Sequence, residues 1–479
     1  MTSRRLFILL LAPFLLIGPP LSGQSESGIT LSAYLERIAA GHPLFSRENL
    51  QLENARLSAE ALQTEAWELS LSPAYSRLGE ASAQIPGSRS LQLLGGEAAL
   101  SRSIWASGGT LALSLASEAT RIDYGSPLGS SDSYLRSAGI SYTQPLLRNL
   151  GGTLDRLGYE LAREGLEATE IQSLENREFF LLDAGSRFLD WVLLQEQARI
   201  AAERLELARE QLAQVERRYS ANLVDRVDVL RAQDAVRSAE QGRLQLMSLY
   251  KARQAELAVL AQDPKLYDLT PEFDLFSTAN LQDPEAALIT LKSGSRLLLP
   301  LRNGLALLAR QRAGLVEQAR PLLALTVAGG LAGADSADYL PSWELTEPDV
   351  TVSLWFSHTP GNRSLKRQIE ALDAEIAALA AQVQEVELEL EAALRGLRIQ
   401  LTELEKILEL GRAQIESARE KTAEELALYN QGRGQLTFVI QSRDNERNAL
   451  SGHAENAALY QGLLLQYRAL MDELLPANL

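Results

Sequence analysis

The sequence predicts a mainly α-helical protein with a small β part, built around long coiled-coil helical hairpins. Three observations predict this fold class. A long apolar seam runs through the C-terminal part of the chain, the turn that ends this seam occurs twice, and short Gly- and Ser-rich segments show β character. Apolar residues spaced in steps of four and three are typical of a coiled coil.

The seam begins after Asn362 and reaches Tyr429 without a proline. Its members are Leu372, Ile376, Leu379, Val383, Val386, Leu390, Ala393, Leu397, Leu401, Leu404, Leu408, Gly411, Ile415, Ala418, Thr422, Leu426 and Tyr429. At about 1.5 Å per residue, a helix of this length would extend on the order of 100 Å, which is too long for a compact globular domain. The glycines at Gly432 and Gly434 favour a tight turn, after which a second helix would run back.

The same hairpin tip occurs earlier in the chain. Residues 219–230 align without gaps on residues 429–440, and Tyr219 matches Tyr429. Asn222 stands where Gly432 does, and both residue types tolerate the left-handed turn conformation. The arm before Tyr219 repeats the spacing of the seam through Ala201, Leu205, Ala208, Leu212 and Val215. An internal duplication is therefore predicted.

This duplication predicts the domain organisation. The first repeat covers residues 25–262, with its tip near 219–228, and the second covers 283–479, with its tip near 429–438. A proline-punctuated linker, residues 263–282, joins them. Each repeat is expected to contain a helix, then strands, then the long hairpin.

The N-terminal residues predict a secretory signal peptide over residues 1–24. Arg4 and Arg5 precede the apolar run Leu6–Ile17, and small residues follow near Gly23. The run is shorter than the roughly 20 residues that a spanning helix needs, although a retained anchor is an alternative. A net charge of −16 makes nucleic acid a poor partner, and the absence of cysteine excludes disulfides.

The N-terminal helical pattern, residues 30–69, has its counterpart near residues 283–318. Each repeat then shows two short segments of β character, which flank the polar loops 123–132 and 334–347. Weak alternation of this kind is found in transmembrane barrel strands and equally in ordinary small sheets. Residues 71–107 carry further β-like sequence with no counterpart in the second repeat.

Two strands per repeat would give four strands per chain, and the smallest membrane barrels need about eight. If these strands cross a membrane, several chains must therefore share one barrel. Two chains would supply eight strands and three chains would supply twelve.

No constellation of catalytic residues is recognisable, so we expect no enzyme, no cofactor and no metal site. His42, His358 and His453 lack ligand spacing, and no serine lies in a G-x-S-x-G elbow. The abundant glutamates fall on helix faces, where solvated charge is the expected interpretation.

Several motifs resemble those of the TolC-like outer-membrane efflux protein family. They are Gly41-His42-Pro43-Leu44, Gly108-Gly109-Thr110-Leu111, Tyr142-Thr143-Gln144-Pro145-Leu146-Leu147, Asp228-Val229-Leu230-Arg231-Ala232 and Pro360-Gly361-Asn362-Arg363. The resemblance implies a trimer, with a twelve-stranded β-barrel in the outer membrane that is shared between the chains and continued by an α-helical barrel across the periplasm. It also implies a passive exit duct for efflux or type I secretion.

The implied partners are a periplasmic adaptor (membrane fusion) protein and an inner-membrane pump, which supplies the energy. The alternative is that the chain is itself a periplasmic coiled-coil adaptor or scaffold. Such a protein would normally have one hairpin between substantial β domains, so the two equivalent hairpins favour the channel.

The tip is the candidate site, because turns that converge on an axis bring their side chains together around an aperture. The candidates are Tyr219, Asp225, Asp228, Arg231, Tyr429, Arg433, Arg443 and Asp444. The alternatives are that the charges are ordinary exposed turn residues and that the two tyrosines pack in a core. Phe438 and Gln441 hold positions that are often acidic in the family, so an acidic ring is expected only at Asp228.

Overall fold

The computed structural model describes residues 28–63, 66–79, 85–335, 345 and 347–475. The segment expected to be a signal peptide lies outside these residues. The described chain is mainly α-helical, as the sequence predicts. Its elements, in order, are β1 (Gly28–Thr30), α1 (Leu31–Gly41), α2 (Pro43–Ala61), β2 (Glu68–Gly79), β3 (Ser90–Ile104), β4 (Gly109–Gly125), β5 (Gly129–Pro145), α3 (Thr153–Ser220), α4 (Arg226–Leu260), a 3-10 turn (Pro264–Asp268), β6 (Thr270–Glu272), α5 (Pro284–Gly294), α6 (Leu299–Ala319), β7 (Leu322–Asp335), β8 (Glu347–Ser357), α7 (Arg363–Asn430) and α8 (Leu436–Leu470).

The chain divides into two compact units. The first comprises the described residues up to Gly41, Arg187–Ser277 and Gln414–Ala458. The second comprises His42–Ser186, Thr278–Ala413 and the described residues from Leu459 onward. Both hairpin tips belong to the first unit, and the large sheet belongs to the second.

The large sheet of the second unit is antiparallel and, among the described residues, has six strands in the order β2-β3-β4-β5-β7-β8. The expectation of four strands per chain is therefore wrong. Segment 71–107, which has no counterpart in the second repeat, supplies the additional strands as the hairpin β2–β3. Its alternating apolar residues, such as Leu69 and Leu71, follow the same period as those of the other strands.

The strand register gives this sheet two different faces. One row across the six strands contains Leu69, Leu100, Leu113, Ile140, Gly329 and Val350. The neighbouring row, on the opposite face, contains Ser70, Ala99, Ser114, Gly139, Gly330 and Asp349. Large apolar side chains on the first face are exposed to the surroundings, among them Leu69, Ile140 and Val350. These two rows thus differ, because the first is apolar and the second carries small and polar residues. Closer to the β4–β5 turn, the first face also carries Arg121, Asp132 and Arg136.

The turn between β4 and β5 is tighter than the sequence suggests. Residues 123–132 were expected to form a polar loop, yet β4 continues to Gly125 and β5 begins at Gly129. Arg121 and Asp132 lie opposite each other and form two hydrogen bonds of 2.7 Å. This bidentate pair satisfies the polar side chains within the ladder. The second expected loop, 334–347, lies largely outside the described residues.

The long helices occur where the seam predicts them, and α7 spans Arg363–Asn430. Leu390, Leu401 and Leu408 are buried, which confirms the seam at these positions. At one position the assignment is wrong, because Ala393 is exposed and Leu394 is buried. The extra four-residue step of the seam therefore comes directly after Leu390. It places Leu394, which is larger than Ala393, against the neighbouring helices. Among the described residues, no helix is both long and apolar enough to cross a membrane.

In the first unit, an aromatic cluster forms part of the core. The ring centroids of Tyr34 and Phe188 are 5.4 Å apart, and those of Phe188 and Trp191 are 5.8 Å apart. All three side chains are buried. The segment expected to join the repeats contributes β6, which pairs in parallel with β1. This contact ties the segment to the N-terminal strand of the same unit.

Candidate functional site

The two hairpin tips pack together through one apolar cluster. Val215 at the end of α3, Ala232 in α4 and Tyr429 at the end of α7 are all buried in it. Leu436 and Val439 at the start of α8 complete the cluster. The turns reverse at Asn222 and Gly432, whose φ angles are 58° and 75°. This confirms that both positions take the left-handed conformation that the repeat predicts.

Arg218 joins the two tips by capping the end of α7. Its Nη1 and Nη2 atoms donate hydrogen bonds of 3.0 Å to the carbonyl oxygens of Tyr429 and Asn430. The guanidinium also lies over the Tyr429 ring, 4.5 Å from its centroid. A cation at the C-terminal end of a helix is favourable, because the last carbonyl groups lack partners within the helix. Arg218, which belongs to the first hairpin, therefore stabilises the turn of the second hairpin.

The two tyrosines that match in the repeat have different environments. Tyr429 is 4% exposed and packs in the cluster, whereas Tyr219 is 44% exposed. Core packing therefore holds for Tyr429 and is wrong for Tyr219. The reason is that α3 presents Arg218, the residue before Tyr219, to the end of α7. A repeat in sequence fixes the local turn, but the neighbours of each copy are different.

The tip carries a cleft of about 700 Å³. Asp225, Asp228 and Arg231 line it, together with Arg218 and Tyr429. The carboxylate of Asp228 lies 3.3 Å from the guanidinium of Arg231, one helical turn further along α4. Both side chains remain partly exposed. The structure thus brings four of the predicted site residues, Asp225, Asp228, Arg231 and Tyr429, to one polar cleft.

The other predicted charges lie elsewhere. Arg443 donates a 2.7 Å hydrogen bond to the carbonyl oxygen of Leu207, and burial lowers the pKa of its guanidinium. Asp444 pairs with Arg204. Arg433 is exposed in the second turn. Arg443 and Asp444 therefore connect α8 to α3 and do not line the tip cleft.

Sequence reasoning missed Arg204, Gln214 and Arg218. Gln214 Nε2 donates a 2.6 Å hydrogen bond to Asn430 Oδ1, beside the contacts of Arg218. The only signal in the sequence is the presence of polar side chains in the last turns of α3. Their partners lie more than 200 residues away along the chain, so periodicity does not identify them.

A second polar cluster lies in the second unit. Arg296 approaches Glu175 at 3.0 Å and Asp472 at 3.4 Å, and it also contacts Glu178. The three carboxylates lie close enough together to ligate a cation. The guanidinium of Arg296 is already among them, so the cluster is an ion-pair network that joins α3 to the turns after α5 and α8. Burial raises the pKa of the Glu175 carboxyl, and the charge of Arg296 opposes this rise.

The arrangement of two long helical hairpins and an antiparallel sheet is similar to that of several solved outer-membrane channels. The outer-membrane protein VceC from Vibrio cholerae has this fold, with a TM-score of 0.65 and 14% identity over 92% of this chain and 96% of that protein. The outer-membrane channel OprN matches with a TM-score of 0.67 and 16% identity, over 93% of this chain and 91% of that one.

The CmeC outer-membrane channel from Campylobacter jejuni matches with a TM-score of 0.63 and 12% identity, over 92% of this chain and 85% of that one. No family model and no curated protein sequence matches the chain. The chain therefore has the TolC-like channel fold that its motifs predict. At these identities the likeness shows the fold alone.

Proposed function

We propose that three copies of this chain form a channel in the outer membrane that extends into the periplasm. The channel is the passive exit duct of a multicomponent efflux or type I secretion system. The observation that carries this proposal is the match of more than 90% of the chain to solved outer-membrane channels. The proposal includes no catalytic step, because an inner-membrane pump supplies the energy.

In this proposal the sheet of each chain contributes to one shared β-barrel. The two-faced sheet supports this role, because barrel strands alternate between lipid-facing apolar residues and lumen-facing polar ones. The exposed row of Leu69, Ile140 and Val350 would face lipid, and the row of Ser70 and Asp349 would face the lumen.

The paired helices of the three chains form an α-helical barrel in the periplasm. We assign each chain two repeats, residues 25–262 and 283–479, joined by residues 263–282. Around the barrel axis, the tip clefts of three chains would bring three copies of Asp228 and Arg231 together as an aperture. Tyr219, exposed on α3, is available to a neighbouring chain or to the periplasmic adaptor, which we propose as the partner at the tip.

Cell fractionation together with electrophoresis tests this function. We expect the protein in the outer-membrane fraction, migrating as an oligomer that resists detergent until it is heated. The alternative, a periplasmic adaptor or scaffold, would be released by osmotic shock and would show no heat-dependent migration. Recovery in the shock fluid would reject the channel.

A further inference from the structure

We infer that the shared barrel has eighteen strands, because the hairpin β2–β3 belongs to its wall and the free edge of β2 pairs with β8 of the next copy. This inference rests on the trimeric channel proposed above and changes the expected strand number. The occupant of each free sheet edge is thus a second copy of this chain.

The first reason is the continuity of the sheet. β3 pairs with β4 along its whole length, from Ser90 opposite Asp123 to Ile104 opposite Gly109. β2 pairs with β3 in the same way, from Glu68 to Gly79. A twelve-stranded barrel needs the edge of β4 for the next copy, so both the β3–β4 ladder and its hydrogen bonds would have to be broken. An eighteen-stranded barrel keeps every ladder.

The second reason is the apolar face, which continues across the additional hairpin. Leu69, Leu71 and Tyr75 stand on this face of β2 and are exposed. Their partners on β3 include Leu94 and Leu100. A hairpin folded away over a water-filled lumen or outside the membrane would not need an apolar face in register with the other four strands. A barrel wall that faces lipid requires an apolar face of this kind.

The third reason is that the two outer edges are complementary. Successive strands alternate in direction across the six-stranded sheet, so β2 and β8 run in opposite directions. An edge of β8 can therefore pair antiparallel with an edge of β2 in a neighbouring copy. The two strands have similar lengths, 12 and 11 residues. Within one chain the residues of β8 are exposed throughout.

The stagger of the strands is compatible with the closure of three such sheets into one barrel. Following the ladders across the sheet, Glu347 at the start of β8 lies level with Ser72 of β2. From that level β8 runs ten residues to Ser357, whereas β2 has four residues to Glu68. β8 is therefore displaced along the strand direction by six residues. Three copies would accumulate a shear of about 18 over 18 strands, which corresponds to a strand tilt of about 35°. Membrane barrels have tilts of about 35–45°.

This displacement also predicts the register between copies. A shift of six residues is even, so it keeps the apolar rows on one face. Leu354 of one copy then lies opposite Leu71 of the next, and Phe356 lies opposite Leu69. On the other face Ser353 lies opposite Ser72. Pro73 and Pro348 can each remove only one donor from this ladder, which leaves most of its hydrogen bonds intact.

Disulfide cross-linking between copies tests the inference. The chain has no cysteine, so any disulfide between copies must form through the introduced cysteines. We would oxidise outer membranes that contain Leu354→Cys combined with Leu71→Cys, and analyse them by electrophoresis without reductant. The neighbouring registers are sampled by combining Leu71→Cys with Val352→Cys or Phe356→Cys. A matched pair for twelve strands is Leu354→Cys with Leu115→Cys on β4. A disulfide requires Cα atoms within about 7 Å, whereas three strand spacings are about 14 Å.

We expect covalent dimers and trimers with Leu71→Cys, strongest for Leu354→Cys, and none with Leu115→Cys. Cross-linking through Leu115→Cys alone would overturn the eighteen-stranded wall and leave the channel itself standing. Cross-linking through neither strand would overturn edge pairing between copies. The fractionation described above reports separately whether the channel proposal fails.

Electron cryomicroscopy of the unmodified protein in detergent is independent of these substitutions. Barrel diameter grows roughly in proportion to strand number, so we expect a barrel about 1.5 times as wide as a twelve-stranded barrel of the same tilt. A wall of twelve strands, with β2–β3 outside it, would refute the inference.

Discussion

At the scale of single residues, Arg218 belongs to the first hairpin and stabilises the turn of the second. Arg218→Leu removes two hydrogen bonds to the end of α7 and the contact with the Tyr429 ring. We expect local opening of this turn to become easier by about 1–2 kcal/mol, because the terminal carbonyls lose a charged donor. Amide hydrogen exchange at residues 431–433 measures this. Arg217→Leu is the control, since the side chain of Arg217 donates a hydrogen bond within its own helix, to the carbonyl oxygen of Ala213. Equal exchange in the two variants would contradict the capping role.

Asp228 is the residue that connects the tip to ion passage. Asp228→Ala would remove three carboxylates from the proposed aperture and leave Arg231 without its 3.3 Å partner. We therefore expect the cation-to-anion permeability ratio to fall in planar-bilayer recordings, while the protein still folds. Asp234→Ala is a matched control, because Asp234 pairs with Arg237 at the same spacing and distance but is more exposed. An unchanged ratio in the Asp228 variant would remove this residue from the aperture.

Arg296 forms ion pairs with three carboxylates in the second unit. Arg296→Leu leaves Glu175, Glu178 and Asp472 facing one another, so we expect a loss of about 3–5 kcal/mol in the free energy of unfolding. Arg367→Leu, which breaks an exposed pair with Glu370, should cost far less. Thermal unfolding of the purified protein compares the two variants. Similar losses would show that the cluster is not a stabilising network.

The same variant should show a characteristic pH dependence. Burial raises the pKa of Glu175 above its ordinary value of 4.5, so the folded protein binds this proton more readily than the unfolded chain. A raised carboxyl pKa means that ionisation at neutral pH costs stability, and Arg296 reduces that cost. The loss in Arg296→Leu should therefore be largest near neutral pH and should shrink as the pH falls toward 4.5. A loss that is independent of pH would contradict this interpretation.

At the scale of secondary-structure elements, the seam of α7 is the feature to test. Leu390 is 4% exposed and Leu388 is 68% exposed on the same helix. Leu390→Asp places an unpaired charge in the seam, and we expect it to cost about 3–5 kcal/mol, with loss of oligomer stability. Leu388→Asp should be nearly neutral. Heat-dependent migration and thermal unfolding measure both variants, and wild-type stability for Leu390→Asp would refute the seam.

Sequence alone predicts most of these elements because their signals are local. The seam repeats within a few residues, and the turn residues Asn222 and Gly432 take their conformation without distant partners. The hairpin β2–β3 is different. Its alternation is visible in Leu69, Leu71 and Tyr75, but its place beside β4 depends on a ladder that no short-range pattern specifies. Four strands were therefore expected where the large sheet of the described chain has six.

The candidate site, like the fold, is predictable from the sequence only in part. The charges Asp225, Asp228 and Arg231 could be assigned to the tip because they follow its turn directly in sequence. The capping contact of Arg218 and the burial difference between Tyr219 and Tyr429 depend on packing between the two hairpins. Contacts between residues about 210 positions apart carry no periodic signal in a single sequence.

At the scale of the whole molecule, the channel proposal makes a prediction about topology. The turn at residues 126–128 stands at the same end of the sheet as the end of β7 and the start of β8. We expect this turn and the segment that joins β7 to β8 to lie outside the cell, so an epitope tag in either should bind antibody on intact cells. A tag in the tip turn, after Asn222, is the control and should require permeabilisation. Labelling of the strand connections only after permeabilisation would contradict this orientation.

The most direct test of the channel is conductance by the purified protein in a planar lipid bilayer. The oligomer should be isolated from outer membranes in detergent without heating, and added at a concentration that gives single insertions. We expect discrete, long-lived conductance steps of uniform size, and their loss when the same sample is heated to dissociate the oligomer. A membrane that stays electrically silent with the unheated oligomer would contradict the proposal that this chain forms an outer-membrane channel.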